Sequence, residues 1–473
     1  MLQFPRTKAN VRFVLDPKTD FAETSRMLAL HFRSLLRVLA GLSLVGAPAP
    51  MAGSPAPRPA GLDWPQWRGV RRDGIWRETG ILDKFAGETI PLRWKVSIGA
   101  GYSGPTVAAG RVYVMDYLKD KAHERVLCLD AKAGAIVWEV PYVCSYEDFT
   151  YEAGPRASVT VHDGKAYALG AAGHLHCLDA VSGQTIWRRD LRREYAIRMP
   201  KWGIAAHPII EGDLLITQIS GAGEACVVAL AHTTGKERWK AFPDEASYAP
   251  PIAIEQAGRR LIVMALGFRL VAFDPANGNL QWSHDQPKSS WPISIPAPVV
   301  QGDLMFFSTA HAGSALFRLA PDRLAIEVIW ERGRRPKTDD TLTPVIPDPL
   351  VINGLVIGVQ TDGELRCLDL MTGKRQWETI EPMPKAWHAS MHLVRAGETG
   401  DRAWIFTEQG NLILARLNAE GYHELTRARL LEPTPEQGPR GRMVTWSHPA
   451  FAYRHIFARS DRELVCADLS AER

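Results

Sequence analysis

Residues 127–138 read LCLDAKAGAIVW, and residues 365–377 read LRCLDLMTGKRQW. In both, an apolar run ends on an aspartate, a glycine follows four positions later, and a tryptophan four after that. An aspartate side chain caps a tight turn, and glycine takes left-handed backbone there at no steric cost. The stretch reads as strand, turn, strand, with a large aromatic placed to pack against a neighbouring unit. The pattern returns at Asp179/Gly183/Trp187 and Asp274/Gly278/Trp282, and more loosely before Trp239 and Trp330. Ahead of most copies two apolar runs flank a glycine (Gly110, Gly164, Gly212, Gly302, Gly354), as hairpins require.

With these flanks included, each unit holds four short strands, and a repeat of about 40–50 residues is the size of a propeller blade. The seventh copy, around Arg402, has no closing tryptophan, and the last copy stops near Leu469 without a fourth strand. Residues 91–98, PLRWKVSI, supply that strand, with Trp94 in the closing position. Closing positions at 94, 138, 187, 239, 282, 330, 377 and one near 429 then count eight blades. The expected fold is all-β: an eight-bladed β-propeller of four-stranded antiparallel blades, the last closed by an N-terminal strand. It would occupy residues 61–473 as a single domain.

Residues 1–60 read as a leader. A basic stretch with His31, Arg33 and Arg37 follows Met27, then a short apolar run from Val38 to Ala47, then small residues and prolines to Pro59. That is the layout of a secretory signal starting at Met27, with residues 1–26 a mis-assigned extension. The apolar run is too short to span a bilayer. The expected location is exported, periplasmic or extracellular. The net charge of +4, from 56 basic and 52 acidic residues, forms no basic tract and gives no reason to invoke nucleic acid. Of six cysteines, Cys128, Cys177, Cys367 and Cys466 share one repeat position and read as small buried residues. The pairing of Cys144 and Cys226 is open, and no CxxC points to zinc.

The repeat, together with Asp63-WPQWRG, Arg72-DGIW and Ala100-GYSGPTVAAGRVYV, resembles the PQQ-like (pyrroloquinoline quinone repeat) propellers of the quinoprotein alcohol dehydrogenase-like superfamily. The resemblance covers residues 63–469 and extends to the outer-membrane assembly factor BamB. It implies fold more sharply than function, because catalysts and scaffolds share this propeller. For a catalyst it implies PQQ with Ca²⁺, an adjacent cysteine pair over the quinone, and an aspartate base. This chain has no adjacent cysteines, and the calcium and base positions find no match.

A propeller's site lies where loops enter the innermost strands. Those loops carry Tyr102, Arg156, Trp202, His207, Tyr248, Trp291, Trp387, His388, Trp446 and His448, the candidate ligand- or cofactor-binding set. A ring of aromatics suits a flat ligand, and Arg156, with no partner evident in the sequence, suits a carboxylate. Against this stands a plain packing role for the same rings. Three histidines from separate units lack metal-ligand spacing, so no metal is expected. Tyr146, Asp148, Tyr151 and Glu152 sit in an insertion that reads as a lid or interaction surface. The preferred function is a binding or scaffold module of the cell envelope holding a planar or anionic ligand in its funnel. Its partner is an envelope protein or that ligand, and it has no transmembrane span. The alternatives are a divergent PQQ-dependent alcohol or sugar dehydrogenase, or an outer-membrane protein assembly scaffold.

Overall fold

The computed structural model describes residues 63–286, 293–333 and 341–471. The leader, its signal and its boundary at residue 60 fall outside them. The described residues lie within one compact unit, Pro57–Arg473.

Eight antiparallel sheets make the propeller, each following the chain from a short inner strand to an exposed outer one. Blade 1 runs from Thr106–Ala108 to Ile136–Val143 and blade 2 from Thr160–His162 to Thr185–Asp190. Blade 3 runs from Ile209–Glu211 to Glu237–Ala241, blade 4 from Ile252–Gln256 to Leu280–Asp285, and blade 5 from Val299–Gln301 to Ile326–Arg332. Blade 6 spans Leu350–Ile352 to Arg375–Thr379, and blade 7 Met391–Ala396 to Gly421–Arg429. Blade 8 takes Ala450–Ala452, His455–Arg459 and Glu463–Asp468, and Leu92–Ser97 pairs antiparallel with the last of these. The ring thus closes as expected, with Trp94 opposite Cys466.

The repeat locks one blade to the next. A Cβ on Gly183 would meet Trp138 at 2.7 Å, and one on Gly134 would meet Trp94 at 2.7 Å. Trp94, Trp138, Trp187, Trp239 and Trp330 thus each lie against the turn glycine of the next blade, and the indole N–H reaches that turn's backbone. Trp138 donates to Ala180 O at 3.3 Å, Trp187 to His232 O at 2.9 Å and Trp239 to Pro275 O at 2.8 Å. Blade 5 has no glycine at this turn. There Trp282 donates to Gln256 Oε1 at 2.9 Å, and the Gln256 amide reaches Ala325 O at 2.6 Å. The core is accordingly a set of apolar layers between blades, such as Tyr167, Leu175 and Cys177 against Leu215, Val228 and Leu230. All six cysteines are buried and free, including Cys144 and Cys226.

Two features depart from the expectation. The closing position of blade 7 is Thr426, opposite Leu414, rather than a residue near 429. Its hydroxyl accepts from the Phe85 N–H at 3.0 Å. Blade 7 also gains a fifth strand, because Ile75–Trp76 pairs parallel with its inner strand.

That fifth strand ends a segment that crosses the ring. Trp64 and Val107 of blade 1 exchange backbone bonds at 2.8 Å, and Val161 N–H of blade 2 donates to Pro65 O at 2.8 Å. Arg72 donates to Pro251 O at 2.8 Å and Pro208 O at 2.7 Å, just ahead of blades 4 and 3. Arg68 meets Asp348, ahead of blade 6, at 3.4 Å. Residues 63–76 thus form a crossbar from blade 1 to blade 7.

Candidate functional site

The loops ahead of the inner strands enclose a cavity of ≈ 150 Å³. Of the candidate residues, Tyr102, Arg156, Trp202, His207, Tyr248, His388, Trp446 and His448 line it. Trp387 does not: its side chain is 60% exposed at the rim and stacks on His388 at 3.7 Å. Trp291 lies outside the described residues.

Arg156 is not the unpaired cation the sequence suggested. Its Nε donates to Trp202 O at 2.8 Å and its Nη2 to Thr150 O at 3.0 Å, with further bonds to the carbonyls of Gly154 and Tyr151. The guanidinium also lies 5.0 Å from the Phe149 ring centre, 5.1 Å from Tyr102 and 5.6 Å from Tyr146. It therefore staples the 144–156 insertion to the wall instead of projecting as a clamp. That insertion sends Tyr151 across the mouth. Its ring stands edge-on to Trp202 at 5.7 Å and 6.1 Å from Trp446.

The opposite walls are fixed just as firmly. Trp202 and Tyr248 rings lie 5.2 Å apart, and the Trp202 N–H donates to the Tyr248 hydroxyl at 3.2 Å. Trp446 donates from Nε1 to Glu408 Oε2 at 2.8 Å, and the same oxygen takes Arg442 Nη2 at 3.1 Å. Burial still pushes the Glu408 carboxyl up from its ordinary range.

The crossbar makes the floor. Trp67 stacks on His207, ring centres 5.6 Å apart and planes 16° apart. His448 stands 5.6 Å from His207 and 6.1 Å from His392. Burial strips these imidazoles of their protons: His392 is pushed down to about 4, His448 to about 3, and His207 well below its usual value. Asp348, facing Arg68, is pushed up by the same cause. No group of three or more His, Cys, Asp or Glu placed to hold a metal ion occurs among the described residues.

Sequence reasoning missed Trp67 and His392 as lining residues, and gave Tyr151 only to a lid or interaction surface. The signal for Trp67 was the WPQW run at residues 64–67, far in sequence from any funnel loop. His392 lies on an inner strand, where alternation conceals a residue that faces the channel.

Comparison with known proteins agrees with this architecture. The model of the family described as outer membrane protein assembly factor BamB matches residues 122–379. The outer membrane protein assembly factor BamB of Bordetella pertussis is 24% identical over 221 residues, 46% of this chain and 52% of that protein. The 1-butanol dehydrogenase (quinone) of Thauera butanivorans is 32% identical over 145 residues, 28% of this chain and 23% of that protein. The chain thus spans about half the length of the first relative and under a quarter of the second. A europium-containing methanol dehydrogenase structure superposes with a TM-score of 0.62 at 13% identity, covering 85% of this chain and 90% of that one. That likeness is one of fold.

Proposed function

We propose, since this chain belongs to the PQQ-like propeller family described as outer membrane protein assembly factor BamB, that it is an exported binding or scaffold module of the cell envelope. Its central funnel holds a small planar ligand, and its partner is an envelope protein. The observation that supports this reading is the aromatic-walled cavity itself, floored by the chain's own crossbar and shaded by Tyr151. Rings held by hydrogen bonds from behind form a preorganised stacking site.

The dehydrogenase reading is favoured by the match to a quinone-dependent butanol dehydrogenase. The donor set of this funnel does not fit that cofactor. PQQ carries three carboxylates, while Arg156 and Arg72 are engaged by carbonyls and Arg68 faces Asp348. The chain has no adjacent cysteines to lie over a quinone.

Equilibrium dialysis of the protein against PQQ, with and without Ca²⁺, tests the choice. No saturable binding at tens of micromolar, with retention of an outer-membrane assembly protein from envelope extract, is the expected result. Tight calcium-dependent binding with dye-linked alcohol oxidation would replace this reading by the dehydrogenase.

A further inference from the structure

We infer that the funnel admits an uncharged, flat aromatic or heteroaromatic molecule, with a hydrogen-bond acceptor and a donor along its edge, and turns away planar anions. This rests on the reading of the funnel as a ligand site and names the chemistry it accepts.

Three observations lead there. The cavity is lined by the rings of Trp67, Tyr151, Trp202, Tyr248 and Trp446, which reward flat apolar surface. The cations nearby are already engaged by other groups of the protein. Arg156 has four of its five N–H groups on backbone carbonyls. Arg442 is held by Glu408 and by the carbonyls of Trp387 and His388, and Arg68 faces Asp348. A carboxylate entering the cavity would lose its water and find few new charge-assisted bonds, which is costly.

The floor offers polarity without charge. His207 accepts the Ser158 N–H on Nδ1 at 2.7 Å, so its proton sits on Nε2. His392 meets the Trp446 carbonyl through Nε2 at 2.8 Å, which places its proton there and leaves Nδ1 as an acceptor. Both residues line the cavity, so its floor includes a neutral ring able to donate and another able to accept. A neutral heterocycle or aromatic amide satisfies both, whereas a carboxylate satisfies only the donor and opposes the acceptor.

The test is calorimetric titration of the full chain at pH 7 with two isosteres, 2-naphthamide and 2-naphthoate. The amide should bind at one site at least tenfold more tightly. Equal or tighter binding of the carboxylate would overturn the inference while leaving the funnel as a ligand site. Binding of neither at millimolar concentration would remove the ligand-site reading and this inference together. Tyr151→Ala, at the mouth and outside the core, should weaken the amide about tenfold. Unchanged affinity would place the ligand elsewhere and overturn the inference.

Discussion

Arg156 shows what a sequence conceals at the scale of one residue. An arginine among funnel aromatics reads as a clamp, because its chemistry suits carboxylates. The structure instead gives it four backbone carbonyls and three rings. Which carbonyls a fold gathers at one point is a three-dimensional fact with no local signature. Hydrogen bonds to a charged group contribute about 1.5–3 kcal/mol each, and they are not additive. Arg156→Ala should therefore lower unfolding stability by about 3 kcal/mol, and proteolysis should open the 144–156 insertion first. Arg156→Lys should rescue little, because one ammonium cannot reach carbonyls arranged around a planar fork. Denaturant unfolding of both variants checks this, and a lysine variant of wild-type stability would contradict it.

The floor histidines make a second prediction at this scale. The folded value of His392 is depressed to about 4 from an ordinary 6.5. Between those values the unfolded chain binds more protons than the folded one. Stability therefore falls as pH drops from about 6.5 toward 4, by at most about 1.4 kcal/mol for each step of one in pH. His448, beside His392 and also exposed to the Arg68 charge, acts the same way down to about 3. Asp348 opposes them, since its raised value favours the folded state on acidification. Comparing wild type with His392→Gln by urea unfolding at pH 7 and pH 5 isolates the imidazole. The variant should lose less stability on acidification, and parallel losses would contradict the assignment.

At the scale of the element, the blade was legible because its signal is a fixed spacing. Aspartate, glycine and tryptophan four residues apart have a physical reason to stay so, since the turn glycine is where the previous blade's tryptophan lies. Two elements escaped. A two-residue strand such as Ile75–Trp76 has no periodicity to read. In blade 7, a threonine replaces the tryptophan and borrows Phe85 from a distant segment. The tryptophan contact itself is testable. Gly183 and Gly164 both have positive φ, 74° and 68°. A Cβ would meet Trp138 at 2.7 Å on Gly183 and nothing within 4 Å on Gly164. Both alanine variants bear the cost of left-handed backbone, about 1–2 kcal/mol. Gly183→Ala should cost a further ~1–3 kcal/mol, of the order of overpacking. Equal thermal shifts for the two would show that the indole yields freely.

At the scale of the whole molecule, two N-terminal segments do different work on one ring. Residues 92–97 close it, and the pairing of Trp94 with Cys466 was readable because the eighth copy lacked a strand. The crossbar was not readable, because its contacts are spread over blades 1, 2, 3, 4, 6 and 7, and each depends on where the ring puts a partner group. Arg72 holds its middle. It is buried, and burial lowers its guanidinium to about 9, so its charge is retained near neutrality through the carbonyls of Pro208 and Pro251. Replacing it removes the anchor but none of the blade-to-blade tryptophan contacts. Arg72→Met, of similar length without charge, should therefore loosen the crossbar and leave the propeller folded. Hydrogen exchange is the direct measurement. The amides of Trp64, Val161, Arg395 and Gly397, whose bonds join crossbar and blades, should lose protection. Blade-interior amides such as those of Val228 and Leu368 should keep theirs. Because Trp67 rides on the same segment and stacks on His207, the funnel floor should soften with it, and affinity for a flat neutral ligand should fall. Uniform loss of protection across all eight blades would instead make the crossbar an integral part of the ring's cooperative core.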